Sequence, residues 1–269
     1  MGDCMLTPAQ HKQAAQLLLQ AERQAKPVKQ LDETFPGMEI ADSYAIQKEV
    51  LAAKLAAGSQ LRGHKIGLTS KAMQNIQGIN EPDYGFLLDD MFFSDGDTIP
   101  VDRFIVPRVE VELAFILNKP LKGNNVTLQD VLRATEYVQP ALEIVDGRTM
   151  YPRRIVDNIA DNAASAGIVL GGRPVRPMDI DLRWVGCLLY RNGVIEETGV
   201  SAGVMGHPAR GVEWLAKKLA AFDTSLEAGS VILAGSFTRT VSVQAGDTIH
   251  ADFGELGGVS VYFSNSGGK

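Results

Sequence analysis

The stretch PRVEVELAFIL, residues 107–117, sets Glu110 and Glu112 two positions apart in an otherwise apolar run. Pro107 opens it, and Val109, Val111, Leu113 and Phe115 alternate with Glu110, Glu112, Ala114 and Ile116, which is the period of a strand. Side chains at i and i+2 point the same way, so the two carboxylates stand roughly 7 Å apart on one face. That face continues with Ala114 and Ile116, not with solvated residue types. Two carboxylates heading into apolar surroundings repel one another and lose hydration unless a cation lies between them. An exposed sheet edge on which two acids fall is the plainer alternative.

A third carboxylate bears on that choice. In YVQPALEIVD, Glu143 has Ala141 and Val145 on its own face and Leu142 and Ile144 on the other, so this strand reads as buried on both sides. A lone buried carboxylate needs a partner, either an arginine in a buried ion pair or a metal. Three acids from two strands suit Mg²⁺ or Mn²⁺, which keep water or a bidentate oxygen ligand in their remaining positions. LRGHKIGLTS supplies a cation: in strand register Gly63, Lys65, Gly67 and Thr69 share a face. The small neighbours leave room for a ligand beside Lys65, and desolvation would let this lysine shed its proton more readily. A lysine snorkelling from a sheet edge is the alternative.

Weaker signals surround these. Asp83, in NEPDYG, sits in what reads as a loop, where Pro-Asp is ordinary turn chemistry. DNAASAG (161–167) and AGSFT (234–238) are small-residue segments that let backbone N–H groups, and the Ser165 and Thr238 hydroxyls, approach a ligand. GRTMYPRRIVDN (147–158) offers Arg148, Arg153 and Arg154 for gripping a carboxylate. No G-x-S-x-G is present, and His11, His64, His207 and His250 form no nucleophilic triad.

The elements that must position these residues are legible in outline. Residues 1–60 read as a helical segment. TPAQHKQAAQLLLQAERQ opens with Thr7 as N-cap, Pro8 in the first turn and Gln10 closing a capping box, and DSYAIQKEVLAAKLAAG ends at Gly58. Residues 61–269 read as a mixed β domain. TLQDVLRATEYV is expected to be helical, capped by Thr127 with Asp130 at the third position, and CLLYRNGVIEETG to be a hairpin turning at Asn192-Gly193. HPARGVEWLAKKLAAF predicts a helix, and the last forty residues predict a meander. The fold class expected is α+β.

Composition narrows the function. The chain has 269 residues, 45% hydrophobic and 22% charged, enough to bury a sizeable core. A net charge of −6 without a Lys/Arg-rich run argues against nucleic acid as partner. No apolar run reaches the ~18–20 residues of a membrane span, and the amphipathic N-terminus shows no secretory signal, so a cytoplasmic protein is expected. Cys4 and Cys187 make neither a disulfide framework nor a zinc site.

The motifs GHKIGLTSKAM, EPDYGFLLDDMF, PRVEVELAFIL, YVQPALEIVD, DNAASAG and GSFTR resemble, in order and spacing, those of the hydratases of aromatic meta-cleavage pathways. These belong to the superfamily named for fumarylacetoacetate hydrolase, and the likeness runs from about residue 40 to near the end of the chain. The resemblance implies a mixed β-roll core of the fumarylacetoacetate hydrolase C-terminal-domain type, with Mg²⁺ or Mn²⁺ held by Glu110, Glu112 and Glu143. It implies Lys65 and Asp83 as catalytic proton carriers, and Thr69, Tyr84, Leu87, Ser165 and Thr238 around the substrate. Arg148 or Arg154 would meet the far end of a small 2-oxo dicarboxylate. A homo-oligomer is expected.

The 4-oxalocrotonate decarboxylases share the metal acids, the lysine and the DNA segment. Their pattern has an apolar residue where this chain has Asp83. A hydratase needs a group that handles water, and a decarboxylase does not, so Asp83 favours hydration. A pentadienoate hydratase acting on a shorter substrate, and a metal-dependent small-molecule binding protein without turnover, are the other readings.

Overall fold

The computed structural model describes residues 5–265, so Cys4 lies outside the described residues. Helix α1 (Pro8–Gln24) begins as its cap signal predicts: the Thr7 side chain accepts from the Gln10 N–H, and the Gln10 side chain returns to the Thr7 backbone. Two more helices complete this layer, α2 (Leu31–Thr34), between Pro27 and Pro36, and α3 (Ile40–Ala56).

Strand β1 (Leu61–Gly67) follows, then helix α4 (Lys71–Gln77), β2 (Asp83–Leu88), β3 (Phe92–Ser94), β4 (Thr98–Pro100) and β5 (Arg108–Leu117). Next come α5 (Leu128–Ala134), β6 (Thr135–Val145), α6 (Ile155–Ala160), β7 (Ser165–Leu170), β8 (Gly186–Arg191) and β9 (Val194–Val200). Helix α7 (Ala209–Ala220) leads into β10 (Val231–Leu233), β11 (Val241–Ser242), β12 (Thr248–Asp252) and β13 (Gly258–Ser264).

The strands form two sheets, one ordered β2-β1-β10-β5-β6-β7-β3 with β11 also on β5, the other β4-β13-β12-β8-β9. Three pairs, β1/β10, β3/β7 and β4/β13, are parallel and the rest antiparallel, so the sheets are mixed. Alternation along β5 divides the interior in two. Val111, Leu113 and Phe115 pack with Leu189, Ile249 and Phe263 between the sheets. Ala114 and Ile116 point the other way, under the helical layer, where Leu18, Leu31, Ile46 and Val50 cover them. Glu110 and Glu112 occupy this second face, ahead of the helical cover. The fold is α+β, as expected.

Several local expectations are corrected. Helix α5 stops at Ala134, and Thr135–Val138 belongs to β6, where β-branched Thr135 and Val138 find cross-strand partners in Leu117 and Phe115. Asp83 is not in a loop but opens β2, opposite Gly67. Thr69 lies beyond β1, because Leu68 at φ 55 breaks the alternation. The C-terminal segment is not a meander: β10 inserts between β1 and β5, and only β12 and β13 form a hairpin. A three-residue apolar run such as Val231–Leu233 fits any buried slot, and the slot is set by distant strands. The Asn192-Gly193 turn has positive φ at both central residues, 55° and 79°, as a type I′ turn requires.

Candidate active site

Register brings the acids together. Glu110 on β5 is the direct cross-strand partner of Glu143 on β6, an arrangement of like charges that disfavours the pair on its own. With Glu112 they place one oxygen each within 4.8 Å of one another. The Gly235 N–H donates to Glu112 Oε2 at 2.7 Å, a contact that Gly235 reaches at φ +120°, where a side chain would meet Thr69. Glu112 Oε1 and Glu143 Oε1 are buried without a hydrogen-bond partner. Three converging carboxylates with free inward oxygens fit a hard divalent cation, and no other donor type intrudes. The exposed-edge alternative falls: Glu112 and Glu143 are wholly buried and Glu110 partly so.

Lys65 lies among them, its Nζ 3.2 Å from Glu143 Oε2 and donating to the Ala163 carbonyl at 3.1 Å. Glu143 thus has an ion-pair partner, but it is a lysine and not an arginine. Ala163 presents its carbonyl from a left-handed run in which Asn162, Ala163 and Ala164 have φ 55°, 49° and 64°. Such conformations are rare outside glycine and collect at functional sites. Asn162 anchors the run: its amide accepts from the Phe86 N–H at 2.7 Å and donates to the Phe86 carbonyl at 3.0 Å. A Cβ at Gly85 would collide with the Asn162 carbonyl, so this close approach needs a glycine there.

Asp83 completes the group. Asn158 Nδ2 donates to its Oδ2 at 2.8 Å, while Oδ1 is buried and unpartnered. Gly67 leaves the space: a Cβ there would strike Asp83 Oδ1 and lie 3.3 Å from Lys65 Nζ. The glycines flanking Lys65 make room for neighbouring strands: Gly67 admits the Asp83 carboxylate, and Gly63 lies against the Val231 backbone of β10.

Charge sets the protonation. Burial pushes Glu110 up to about 7; Lys65 opposes this, and Glu143 and Asp83 add to it. Burial and the neighbouring Glu143 and Glu110 hold Glu112 well above the ordinary carboxylate range. Burial also raises Asp83, against the pull of Lys65 and the Asn158 hydrogen bond. For Lys65, burial alone would lower the pKa, but Glu143, Glu110, Asp83 and Glu112 outweigh it and hold the ammonium above its ordinary range. The expectation that desolvation frees its proton is corrected: among these acids Lys65 is a held cation.

A cavity of about 280 Å³ joins Lys65, Asp83 and Glu110 to Arg108, Tyr151 and Arg153. Other expected residues fall elsewhere. Ser165 Oγ and Thr238 Oγ1 are buried and unpartnered, and Thr69 packs against Gly235. Tyr84 points to the opposite face of β2 and stacks on Tyr44, ring centroids 4.7 Å apart, while Leu87 is fully buried in the core beneath the helices. Arg148 and Arg154 do not line the cavity. Arg148 is locked onto Asp161, and Arg154 reaches out to Asp32 at 3.1 Å. Arg108 and Asn158 escaped the sequence reading. Arg108 carried a signal, since it precedes Glu110 by two positions and shares its face.

Comparison with known proteins gives this geometry its context. A family model described as fumarylacetoacetate (FAA) hydrolase C-terminal matches residues 57–262. The chain is 58% identical over 260 residues to the 2-oxo-hept-4-ene-1,7-dioate hydratase of Escherichia coli, covering 94% of this chain and 97% of that one. It is 40% identical over 262 residues to the 2-keto-4-pentenoate hydratase of Paraburkholderia xenovorans (strain LB400), covering 97% of each. The 4-oxalocrotonate decarboxylase of Pseudomonas putida G7, solved with magnesium and adipate, is 35% identical with a TM-score of 0.95 over 97% of this chain and 100% of that one. The fold is thus shared, and this chain belongs to the fumarylacetoacetate (FAA) hydrolase C-terminal family.

Proposed function

We propose that this protein is a hydro-lyase that adds water to 2-oxo-hept-4-ene-1,7-dioate, through its dienol and enone tautomers, to give 4-hydroxy-2-oxoheptane-1,7-dioate. The observation that carries the reading is Asp83, one oxygen held by Asn158 and the other free, in one cavity with Lys65 and Glu110. The identity to the Escherichia coli hydratase supports the substrate.

Glu110, Glu112 and Glu143 would hold Mg²⁺ or Mn²⁺, which supplies Lewis-acid stabilisation of negative charge developing on the substrate's C2 oxygen. The remaining work falls to the chain. Lys65, a charged donor aimed by Glu143 and the Ala163 carbonyl, gives a proton to C5 of the dienol as the C2 hydroxyl gives up its own, which restores the ammonium and yields the α,β-unsaturated ketone. Asp83 Oδ1 takes a proton as water attacks C4, and that proton returns to C3. Asn158 keeps Oδ1 turned toward the cavity by holding Oδ2. In this reading residues 61–269 form the catalytic β-roll and residues 1–60 buttress it. The enzyme works in homoprotocatechuate (4-hydroxyphenylacetate) catabolism as a cytoplasmic homo-oligomer; among the described residues no helix is long and apolar enough to cross a membrane.

The test is to add the protein with Mg²⁺ to the dienoate and follow both its absorbance and the product mass. Gain of one water supports the hydratase. Loss of CO₂ returns the reading to a decarboxylase, and an unchanged spectrum to a binding protein.

A further inference from the structure

The cavity is lined by Glu110, Asp83 and Lys65 and also by Arg108 and Arg153, and nothing in the proposed chemistry uses these two arginines. Arg108 and Arg153 each stand with the guanidinium carbon 5.0 Å from the centroid of the same ring, Tyr151. Arg153 Nη1 donates to Asp161 Oδ2 at 2.9 Å, but Asp161 is already paired with Arg148, so one carboxylate serves two arginines. Arg108, half-buried beside the cavity, has no ion pair or side-chain hydrogen bond among the described residues. Two guanidinium groups over one ring repel, and a planar anion bridging them removes that repulsion. The wall is built for close packing as well. A Cβ at Gly147 would lie 2.9 Å from Arg153 Nη1 and 3.2 Å from the Tyr151 hydroxyl, so the glycine lets the arginine and the ring pack closely against the backbone there.

We infer that Arg108 and Arg153, set by Tyr151, form the specificity-determining subsite for a second carboxylate at the end of the ligand remote from the glutamates. The spacing fits. Arg108 and Glu110 occupy the same face of β5 two residues apart, so their backbones are separated by about 7 Å. A five-carbon spacer between two carboxylates bridges that separation with both ends engaged. A monoacid of the same length leaves Arg108 without a partner, and is disfavoured for that reason. The inference rests on the hydratase reading for the identity of the ligand, but not for the existence of the subsite.

Binding tests it apart from turnover. The Mg²⁺-loaded protein is titrated calorimetrically with 2-oxoheptanedioate and with 2-oxoheptanoate, which share the chelating end and differ only at the far one. The wild-type protein should bind the diacid roughly 10- to 100-fold more tightly, the range of a charge-assisted hydrogen bond. Arg153→Met and Arg108→Met should each shrink that ratio towards one while affinity for the monoacid stays put. Because Arg153→Met disturbs Asp161, Arg108→Met, whose guanidinium touches no carboxylate, is the arm that decides if the first variant fails to fold. A ratio preserved in Arg108→Met, or an equal fall for diacid and monoacid, overturns the inference. A wild-type ratio near one does so as well. If the protein binds with the expected ratio yet hydrates no dienoate, the hydratase reading fails and the subsite stands.

Discussion

Two buried clusters of charge meet at the 162–164 turn, and they are built on opposite plans. Around Asp161 everything is closed: Oδ2 accepts from the Arg148 N–H at 2.8 Å and from Arg153 Nη1 at 2.9 Å, and Oδ1 from Arg148 Nε. Arg148 spends its remaining donors on the Asp161 and Ser165 carbonyls, at 2.7 and 3.2 Å. Around Glu143 much is open: three acids converge on one cation, Lys65, with carboxylate oxygens left unpartnered. Burial is alike in the two places, so burial does not mark the active centre. A buried carboxylate that the protein satisfies itself is architecture, and one left wanting is a seat for something the protein lacks.

The comparison predicts opposite responses to the same substitution. Glu110→Gln takes a charge from the open cluster without changing shape, so hydration should fall by ~10³-fold or more because the cation loses a first-shell charge. Thermal unfolding of the metal-free variant should match or exceed wild type, since a cross-strand repulsion is relieved. A variant that keeps its rate, or wild-type protein that keeps full activity after EDTA treatment, would remove the metal from the account. Asp161→Asn in the closed cluster should behave the other way. Two buried arginines lose the carboxylate that pairs them, at a cost of about 3–5 kcal/mol in denaturant unfolding. An unfolding midpoint equal to wild type would show that the closed cluster is no more structural than the open one.

The smallest effect belongs to a third buried carboxylate, Asp42, which belongs to the closed kind. It accepts from the Met5, Leu6 and Glu39 N–H groups and meets His11 Nε2 at 2.8 Å. Burial would raise its pKa, but the Glu39 N–H, His11 and the other donors prevail and lower it to about 2 from an ordinary 3.8. A carboxylate whose folded pKa is depressed stabilises the fold above its unfolded value, and that stability is lost as pH falls through the folded one. Asp42 should therefore contribute about 2 kcal/mol above pH 4 that disappears towards pH 2. Unfolding curves across that window should slope for wild type and lie flatter for Asp42→Asn; equal slopes would deny Asp42 this role.

Much of the open cluster was legible because its information is local. The i, i+2 spacing of Glu110 and Glu112 followed from strand period alone, as did the cap at Thr7 and the turn at Asn192-Gly193. Glu143 was readable as buried because both faces of its strand are apolar. What stayed hidden depends on residues far apart in the chain. Local pattern cannot say that Val231–Leu233 enters between β1 and β5, nor that the Gly235 N–H reaches Glu112 across 123 positions. Lys65 was misjudged for the same reason: its protonation is set by acids on three other strands. The arginines of the 147–158 segment looked equivalent, and only packing separates Arg153 at the cavity from Arg148 in its closed pair and Arg154 at the surface.

The late strand β10 has a consequence for synthesis. Lys65 on β1 and Glu110 on β5 are not adjacent in the sheet; β10 lies between them and bonds to both. A chain still on the ribosome, emerging N-terminus first at about 5–20 residues per second, holds every metal acid and the lysine long before residues 231–233 appear. Until then the β10 hydrogen bonds that tie β1 to β5 are missing, and the acids lack the Gly235 N–H. The three acids can therefore meet on the β5–β6 pair before β10 and the Gly235 N–H are in place, and the site is completed in two stages.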